Sequence, residues 1–195
     1  MQIIFVRHCQ TDWNVQGLMQ GQKDIPLNDT GRLQARELAE KLRGFKLKQI
    51  IASDLSRARE TAEIIGEGHG LTPRLDARLR ECGFGSLEGL PKPEIYLQQE
   101  DPKLAYPYDY KKFGGETTRD VLARQIELLN ELPDLATDEH ILFVGHGRAI
   151  RTLMIGLGRD QQAMTHGELI ILPHQEVLQA LPTLLEKDFP NVFLD

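Results

Sequence analysis

Two short runs of four apolar residues share one pattern, in which a histidine stands two positions after the end of the run. The first run, Ile3–Val6, precedes Arg7 and His8, and the second, Ile141–Val144, leads to His146. Runs of this length predict strands that are buried on both faces. If the two strands are parallel neighbours, about 4.8 Å apart, both histidines face one pocket at the ligand-binding edge of the sheet. The alternative is two unrelated histidines, each hydrogen-bonded at a strand end.

The apolar positions elsewhere alternate between helical and strand-like spacing. Helices are predicted over about 30–43, from an N-cap at Ser53, over about 117–132 and through Ile150–Leu157; strands are predicted over 49–52, 75–79 and 169–172. Thr117 and Asp120 have the spacing of a capping box at the start of the third helix. Strands that alternate with helices predict a three-layer α/β/α fold with a mostly parallel central sheet.

One segment, residues 90–115, departs from this alternation because it contains four prolines and all four tyrosines of the chain. Long excursions of this kind are often lids or binding loops, and the alternative is a solvated insertion that packs its tyrosines on the side of the domain. Residues 173–195 form a C-terminal tail that is partly helical. The whole chain, 1–195, is predicted to be a single domain.

Composition narrows the function classes. A net charge of −6 argues against a general nucleic-acid partner or an anionic membrane surface. The two cysteines, Cys9 and Cys82, form no C-x-x-C pair, so neither a disulfide framework nor a structural zinc site is predicted. No apolar run reaches membrane-spanning length. We therefore expect a cytoplasmic protein whose partner is a small molecule.

Cationic and acidic side chains are predicted at the same sheet edge as the two histidines. Arg57 lies early in the helix after the strand at 49–52, and helical side chains lean toward the helix N-terminus. Arg7 and Arg57 then form an anion site, since guanidinium groups match phosphate oxygens. A pair of histidines suggests one nucleophile and one charge stabiliser. Glu81, which follows the third apolar segment, is the best candidate for a general acid, with Glu88 as its competitor.

These residues lie in seven motifs that occur in order along the chain. The motifs are Arg7-His8; Thr11 with Trp13 and Asn14; Gln20-Gly21 with Asp24, Pro26, Leu27 and Gly31; Ser53–Ala62; Glu81 with Gly85 and Leu87–Gly89; Gly114–Glu116; and Gly145–Gly147. From residue 2 to about 172 the chain resembles the histidine phosphatase superfamily, in its phosphoglycerate-mutase-like branch.

The resemblance implies a role for each matching residue. His8 is then the nucleophile that becomes phosphorylated, and Arg7, Arg57 and His146 bind the phosphoryl group and stabilise its charge in the transition state. Glu81 is then the proton donor and afterwards the base that activates water. Asn14, Gln20 and Gly21 resemble the phosphate and substrate contacts of the family. No metal or organic cofactor is implied.

Two positions depart from the family pattern. Cys9 stands where the first motif has a glycine, so its side chain either crowds the phosphate loop or exposes a thiol beside the pocket, with sensitivity to oxidation as one consequence. Leu18 stands where an arginine is often found. One cation fewer on the substrate side argues against a doubly phosphorylated or strongly anionic substrate. His166, ahead of the last strand, is a further candidate for a substrate contact.

The sequence thus predicts a metal-independent phosphatase that hydrolyses small phosphomonoesters through a phosphohistidine intermediate. A phosphoglycerate mutase-type phosphoryl transferase and a catalytically weak anion-binding relative remain alternatives. A metallohydrolase is disfavoured because His8, His146 and Cys9 lack metal-ligand spacing. A cysteine-based phosphatase is disfavoured because no arginine lies six residues after either cysteine. The expected partner is a small phosphorylated metabolite, and a homodimer is left open.

Overall fold

A computed structural model describes residues 1–92, 108–132, 138–159 and 164–186 of the chain. Its strands are β1 (Gln2–Arg7), β2 (Leu47–Ala52), β3 (Arg74–Leu75), β4 (His140–Gly145) and β5 (Leu169–Pro173). Its helices are α1 (Asp12–Val15), α2 (Asp29–Leu42), α3 (Ser56–Glu67), α4 (Thr118–Leu129), α5 (Gly147–Gly156) and α6 (His174–Leu184).

The strands form one sheet in the order β3-β2-β4-β1-β5. β1 pairs in parallel with β4, with Val6 opposite Val144, and β4 pairs in parallel with β2. Only β5 runs antiparallel, along the outer side of β1. Because β1, β2 and β4 point the same way, their carboxyl ends meet at one edge, which confirms the shared edge predicted for His8 and His146.

Helices cover both faces of the sheet, and the inner positions of its central strands β1 and β4, Ile3–Val6 and Ile141–Val144, are apolar without a break. Ile3 and Phe5 pack into one core cluster with α4, α5 and α6, whereas Ile4 and Val6 pack into the other with α2 and α3. All four side chains are at most 3% exposed. Burial on both faces explains the lack of alternation in this run, and the three-layer α/β/α prediction is confirmed.

The starts of two helices test the predicted caps. The capping box at α4 is present, since Thr117 and Asp120 exchange side-chain to backbone hydrogen bonds. The cap predicted at Ser53 is wrong, because α3 begins at Ser56 and Leu55 is its N-cap residue. The Ser53 hydroxyl instead accepts the N–H of Leu55 at 3.3 Å, so it stabilises the turn that leads into the helix.

The strand predicted over 75–79 is also shorter than expected. β3 ends at Leu75, and residues 77–79 form a single 3-10 turn. Asp76 causes this break, because its side chain caps the turn by accepting the N–H of Arg78 at 2.9 Å. The chain therefore leaves the sheet one turn before Glu81, which brings that residue to the carboxyl edge from the side.

Most of the 90–115 segment, residues 93–107, lies outside the described residues, and so does the lid prediction made for it. Tyr108 and Tyr110 at its end are buried and pack with Phe84 in a third apolar cluster. The described part of the C-terminal tail forms α6, which packs on the sheet. Within the described ranges, no helix is both long and apolar enough to cross a membrane.

Candidate active site

The two histidines lie side by side at the carboxyl edge, with ring centroids 5.1 Å apart. His8 Nδ1 donates to the carbonyl oxygen of Cys9 at 2.7 Å. Because a carbonyl oxygen can only accept, this bond places the proton on Nδ1 and leaves the lone pair on Nε2. Burial, with Arg57 and Arg7 nearby, holds the pKa of His8 well below its ordinary 6.5. His8 is therefore neutral and presents an unprotonated nitrogen.

His146 is fully buried as the N-cap residue of α5. Burial and the charge of Arg57 likewise hold the pKa of His146 well below its ordinary value. Neither of its ring nitrogens has a hydrogen-bond partner among the described residues. A buried ring N–H without an acceptor is costly, so this histidine is suited to donate to a bound anion.

Arg57 lies in the first turn of α3, and its side chain is entirely buried. Nη1 donates to the carbonyl of Lys23 and Nη2 to that of Gly21, both at 2.7 Å. Burial lowers the pKa of Arg57 to about 10, which keeps it cationic at neutral pH. Its partners are neutral carbonyls, and Nε is buried without an acceptor in the described part of the chain. The positive charge is thus held in place for a ligand.

Arg7 is oriented by the loop that precedes β5. Nη1 donates to the carbonyl of Met164, and Nη2 donates to His166 Nε2 at 3.1 Å. Since a guanidinium cannot accept, His166 must be neutral in this pair, which agrees with the lowering of its pKa to about 4 by burial and by Arg7. The His166 ring lies 6.1 Å from that of His8. His166 is therefore within the site, where it holds Arg7.

Glu81 binds the N-terminus of α5, next to His146. Its Oε1 accepts the N–H groups of Ala149 at 2.9 Å and Cys82 at 3.0 Å, and Oε2 accepts that of Arg148 at 3.2 Å. Helix N-termini favour negative charge. The sequence did not predict this contact, because it depends on the approach of the 3-10 turn to a helix 66 residues further along.

Glu88, the competing candidate for the general acid, accepts hydrogen bonds from two backbone N–H groups. Glu88 Oε1 accepts the N–H of Gln22 at 2.9 Å and that of Phe84 at 3.1 Å. Gly21 has a φ of +52°, and a Cβ there would lie 2.1 Å from Glu88 Oε1. Glu88 thus holds the Gly21 turn, whose carbonyl in turn holds Arg57.

Asn14 and Gln20 differ in the hydrogen bonds that their side-chain oxygens make. The Oδ1 of Asn14 caps α1 by accepting the N–H of Thr11 at 3.1 Å. Gln20 is 7% exposed, and its buried Oε1 has no partner among the described residues. The capping oxygen of Asn14 is engaged, so only its amide nitrogen remains for an anion.

Cys9 does not line the pocket. Its side chain is fully buried in the core cluster with Ile4, Val6 and Leu27. Burial raises the pKa of the Cys9 thiol to about 11, so it carries almost no thiolate near neutral pH. The expectation of an exposed thiol beside the pocket is wrong, because the side chain turns into the core rather than toward the phosphate loop.

Lys92 is a site residue that the sequence analysis missed. It follows the described start of the proline-rich segment, and its N–H donates to the carbonyl of Gly17 at 2.9 Å. Burial and the charge of Arg7 lower the pKa of Lys92, while Glu81 opposes this shift. No motif marked this lysine, and only the return of the chain at Leu90–Pro91 toward Leu18 brings it near the pocket.

Together these groups form a site that contains buried cations and buried N–H donors, some of which have no acceptor among the described residues. The unpartnered buried donors include Arg7 Nε and Arg57 Nε, and both arginines act on the pKa of His8 and of His146. A phosphoryl group supplies several acceptor oxygens and the balancing negative charge. In the described ranges, no group of three or more His, Cys, Asp or Glu side chains is placed to hold a metal ion.

Comparison with known proteins identifies the class. The sequence profile described as histidine phosphatase superfamily (branch 1) matches residues 3–180, and the chain belongs to this family. It is a phosphoric monoester hydrolase with a phosphoglycerate-mutase-like α/β fold. The family, the fold and the enzyme class predicted from the motifs are confirmed.

Individual relatives are similar to this chain over most of its length. The chain is 38% identical over 165 residues to glucosyl-3-phosphoglycerate phosphatase of Mycobacterium tuberculosis, which covers 80% of this chain and 74% of the relative. It is 35% identical over 157 residues to the probable phosphoglycerate mutase GpmB of Cronobacter sakazakii, covering 79% and 73%. A solved structure of the mycobacterial phosphatase with VO3 superposes with a TM-score of 0.79 at 33% identity, covering 88% of this chain and 90% of that one.

Proposed function

We propose that this phosphatase hydrolyses small phosphomonoesters with His8 as its nucleophile. His8 Nε2 attacks phosphorus, the ester P–O bond breaks, and Glu81 gives its proton to the departing oxygen. Water then attacks the phosphohistidine, the P–N bond breaks, and Glu81 takes a proton from that water. Inorganic phosphate leaves, and His8 is neutral again. The single observation that carries this proposal is the His8 Nδ1 bond to the Cys9 carbonyl, which presents Nε2 unprotonated.

The remaining site residues act on the phosphoryl oxygens. Arg7, Arg57 and His146 donate to these oxygens and stabilise the charge that develops on them. Asn14, Gln20 and Gly21 complete the binding loop, the last through its hold on Arg57. Among the described residues, Glu81 Oε2 accepts one N–H, that of Arg148, and a second lone pair of this oxygen is left to carry the transferred proton. No step requires a metal ion.

We propose that the substrate is a small phosphorylated metabolite with one further anionic group. Lys92 supplies a cation near Arg7, which offsets the loss of positive charge at Leu18. The mycobacterial relative is named for a phosphoglycerate derivative, and such a molecule bears one carboxylate. Lys92→Gln should then raise KM for 3-phosphoglycerate several-fold and leave KM for p-nitrophenyl phosphate unchanged. Equal effects on both substrates would contradict this assignment.

The mechanism is tested with p-nitrophenyl phosphate in excess chelator. Wild type should release nitrophenol, His8→Ala should show no turnover, and His69→Ala, which alters a histidine outside the site, should match wild type. A reaction quenched in alkaline detergent should contain a phosphoenzyme that is stable to base and labile to acid in wild type and His69→Ala, and none in His8→Ala. Full activity of His8→Ala would overturn the proposal. Transfer of phosphate to an added phosphoglycerate in preference to water would identify the mutase instead.

A further inference from the structure

An ion pair lies beside the loop that carries Glu81. Arg124, on α4, binds Glu116 through two parallel hydrogen bonds, Nε to Oε1 at 3.0 Å and Nη2 to Oε2 at 3.1 Å. The side chains of Arg124 and Glu116 are 16% and 23% exposed. Neither residue was singled out for chemistry by the sequence. A largely buried, bidentate pair of this kind is geometrically specific.

Arg124 also binds three main-chain carbonyls of the Glu81 loop. Nη1 donates to the carbonyls of Arg78 and Arg80, both at 2.7 Å, and Nη2 donates to that of Glu81 at 3.0 Å. With the two bonds to Glu116, the guanidinium makes five hydrogen bonds, which equals its five N–H groups. A lysine has three donors on one nitrogen and cannot reproduce this fan of contacts.

Glu116 fixes the other side of the same loop. Its Oε2 accepts the N–H of Gly83 at 2.8 Å and the side-chain amide of Gln22 at 3.2 Å. That amide also donates to the carbonyl of Glu81 at 3.3 Å. The peptide of Glu81 is therefore held by donors from two elements, α4 and the loop after Gly21, while its carboxylate is held by α5.

We propose that Arg124, oriented by Glu116, is a positioning residue that holds Glu81 where it can protonate the leaving group. The inference rests on the proposed role of Glu81 as proton donor. The 3-10 turn at 77–79 is short, and residues 80–84 form neither helix nor strand, so the loop lacks a regular backbone pattern that would place Glu81. The contacts of Arg124 and Glu116 replace that pattern.

The test compares two leaving groups. Loss of a positioning role should lower activity on only one of them, whereas a merely structural defect should lower activity on both. An alkoxide needs a proton to leave, whereas p-nitrophenolate leaves readily without one. The quantity to compare is kcat/KM, which covers the steps up to P–O cleavage and excludes hydrolysis of the phosphohistidine. For Arg124→Lys, we expect kcat/KM for glycerol phosphate to fall about 100-fold, the usual cost of a misplacement near 1 Å. The value for p-nitrophenyl phosphate should change less than about 3-fold, since proton donation contributes little there.

Matched variants separate the outcomes. Arg119→Lys alters an exposed arginine of the same helix and should leave both substrates unaffected. Glu81→Gln should show the same leaving-group dependence as Arg124→Lys, only larger. If Glu81→Gln shows none, the role proposed for Glu81 is wrong; if it shows the dependence and Arg124→Lys does not, the positioning role is wrong. Equal losses on both substrates in Arg124→Lys would also overturn it.

A second variant covers the case in which Arg124→Lys does not fold. Glu116→Gln keeps the size of the side chain and leaves the carbonyl contacts of Arg124 available, so circular dichroism should show a folded protein. It should lose the alkyl ester activity selectively, by about 10-fold, because the orientation of Arg124 is loosened rather than removed. An unchanged ratio of the two kcat/KM values in folded Glu116→Gln would contradict the proposal.

Discussion

The chemistry of this enzyme depends on one proton on one ring. The carbonyl of Cys9 accepts a hydrogen bond from the Nδ1–H of His8, so Nε2, which we propose as the nucleophile, carries no proton. Residue type and spacing allowed His8 to be predicted as a site residue, and the family resemblance gave it the nucleophile's role. The tautomer followed only from the bend of the chain at Cys9. The same bend turned the Cys9 thiol into the core, an outcome that neither alternative drawn from the sequence had predicted.

The ionisation of His8 leads to a prediction about pH. Burial and two guanidinium groups disfavour the imidazolium form, so the ring should stay neutral as the pH falls through 6.5 and gain its proton only well below that value. In ligand-free protein and phosphate-free buffer, the His8 ring resonance, assigned from its absence in His8→Gln, should titrate well below 6.5. Activity also falls at low pH, and the part of that fall that is due to protonation of the enzyme, as distinct from the substrate, should occur in the same pH range. A midpoint at or above 6.5 would contradict the electrostatic account of the pocket.

At the scale of elements, close contacts place the helices relative to the sheet edge. Gly31 in the first turn of α2 lies against the loop that follows His8, and a Cβ at Gly31 would be 2.1 Å from the carbonyl oxygen of Gln10. Apolar spacing predicted α2 well, since its periodicity is local. The spacing could not predict Ser53 and Asp76 as turn residues, because each has a side chain that can cap either a helix or a turn.

The contact between Gly31 and the Gln10 carbonyl reverses the usual effect on stability of replacing a helical glycine by alanine. In an unhindered helix, Gly→Ala stabilises by about 1 kcal/mol. Gly31→Ala must push the Gln10 loop away, and overpacking of this kind costs about 1–3 kcal/mol, so we expect a lower free energy of unfolding in urea. Gly156→Ala is the matched control, because a Cβ there would meet Leu122 and Leu184 at an ordinary 3.5 Å. Stabilisation by both substitutions would show that the Gln10 loop yields freely.

The fold of the whole molecule brings distant segments together at the edge of the sheet where we propose that a phosphoryl group binds. Arg7 ends β1 and His8 follows it, Arg57 comes from α3, and His146 follows β4. The side chains of Arg7, His8 and Arg57 are held by neutral carbonyls or by another histidine rather than by a carboxylate. The folded chain thus carries concentrated positive charge that an unfolded chain lacks, and an anion that binds only the folded state stabilises it.

Inorganic phosphate should therefore raise the melting temperature through Arg57. At a phosphate concentration 100 times its Kd, the gain is about 2.7 kcal/mol, which for a chain of this size corresponds to a shift of about 5–10 °C. Arg57→Gln should lose most of this shift, whereas Arg59→Gln, on the exposed side of the same helix, should keep it. Calorimetry at fixed ionic strength measures both. Equal shifts in the two variants would mean that phosphate acts elsewhere.

Local pattern alone predicted the α/β layers, the two histidine-bearing strands and the residues His8, Arg7, Arg57, His146 and Glu81, because strand burial and helix periodicity are written in neighbouring residues. The motifs and their order along the chain indicated the family. Tertiary structure alone decided the antiparallel β5, the His8 tautomer, the burial of Cys9, the place of Lys92 and the Arg124–Glu116 pair beside Glu81. The tautomer depends on the bend of the chain between His8 and Cys9, and each of the others depends on contacts between segments far apart in the chain. Local spacing carries no information about that bend or about which distant segments will meet.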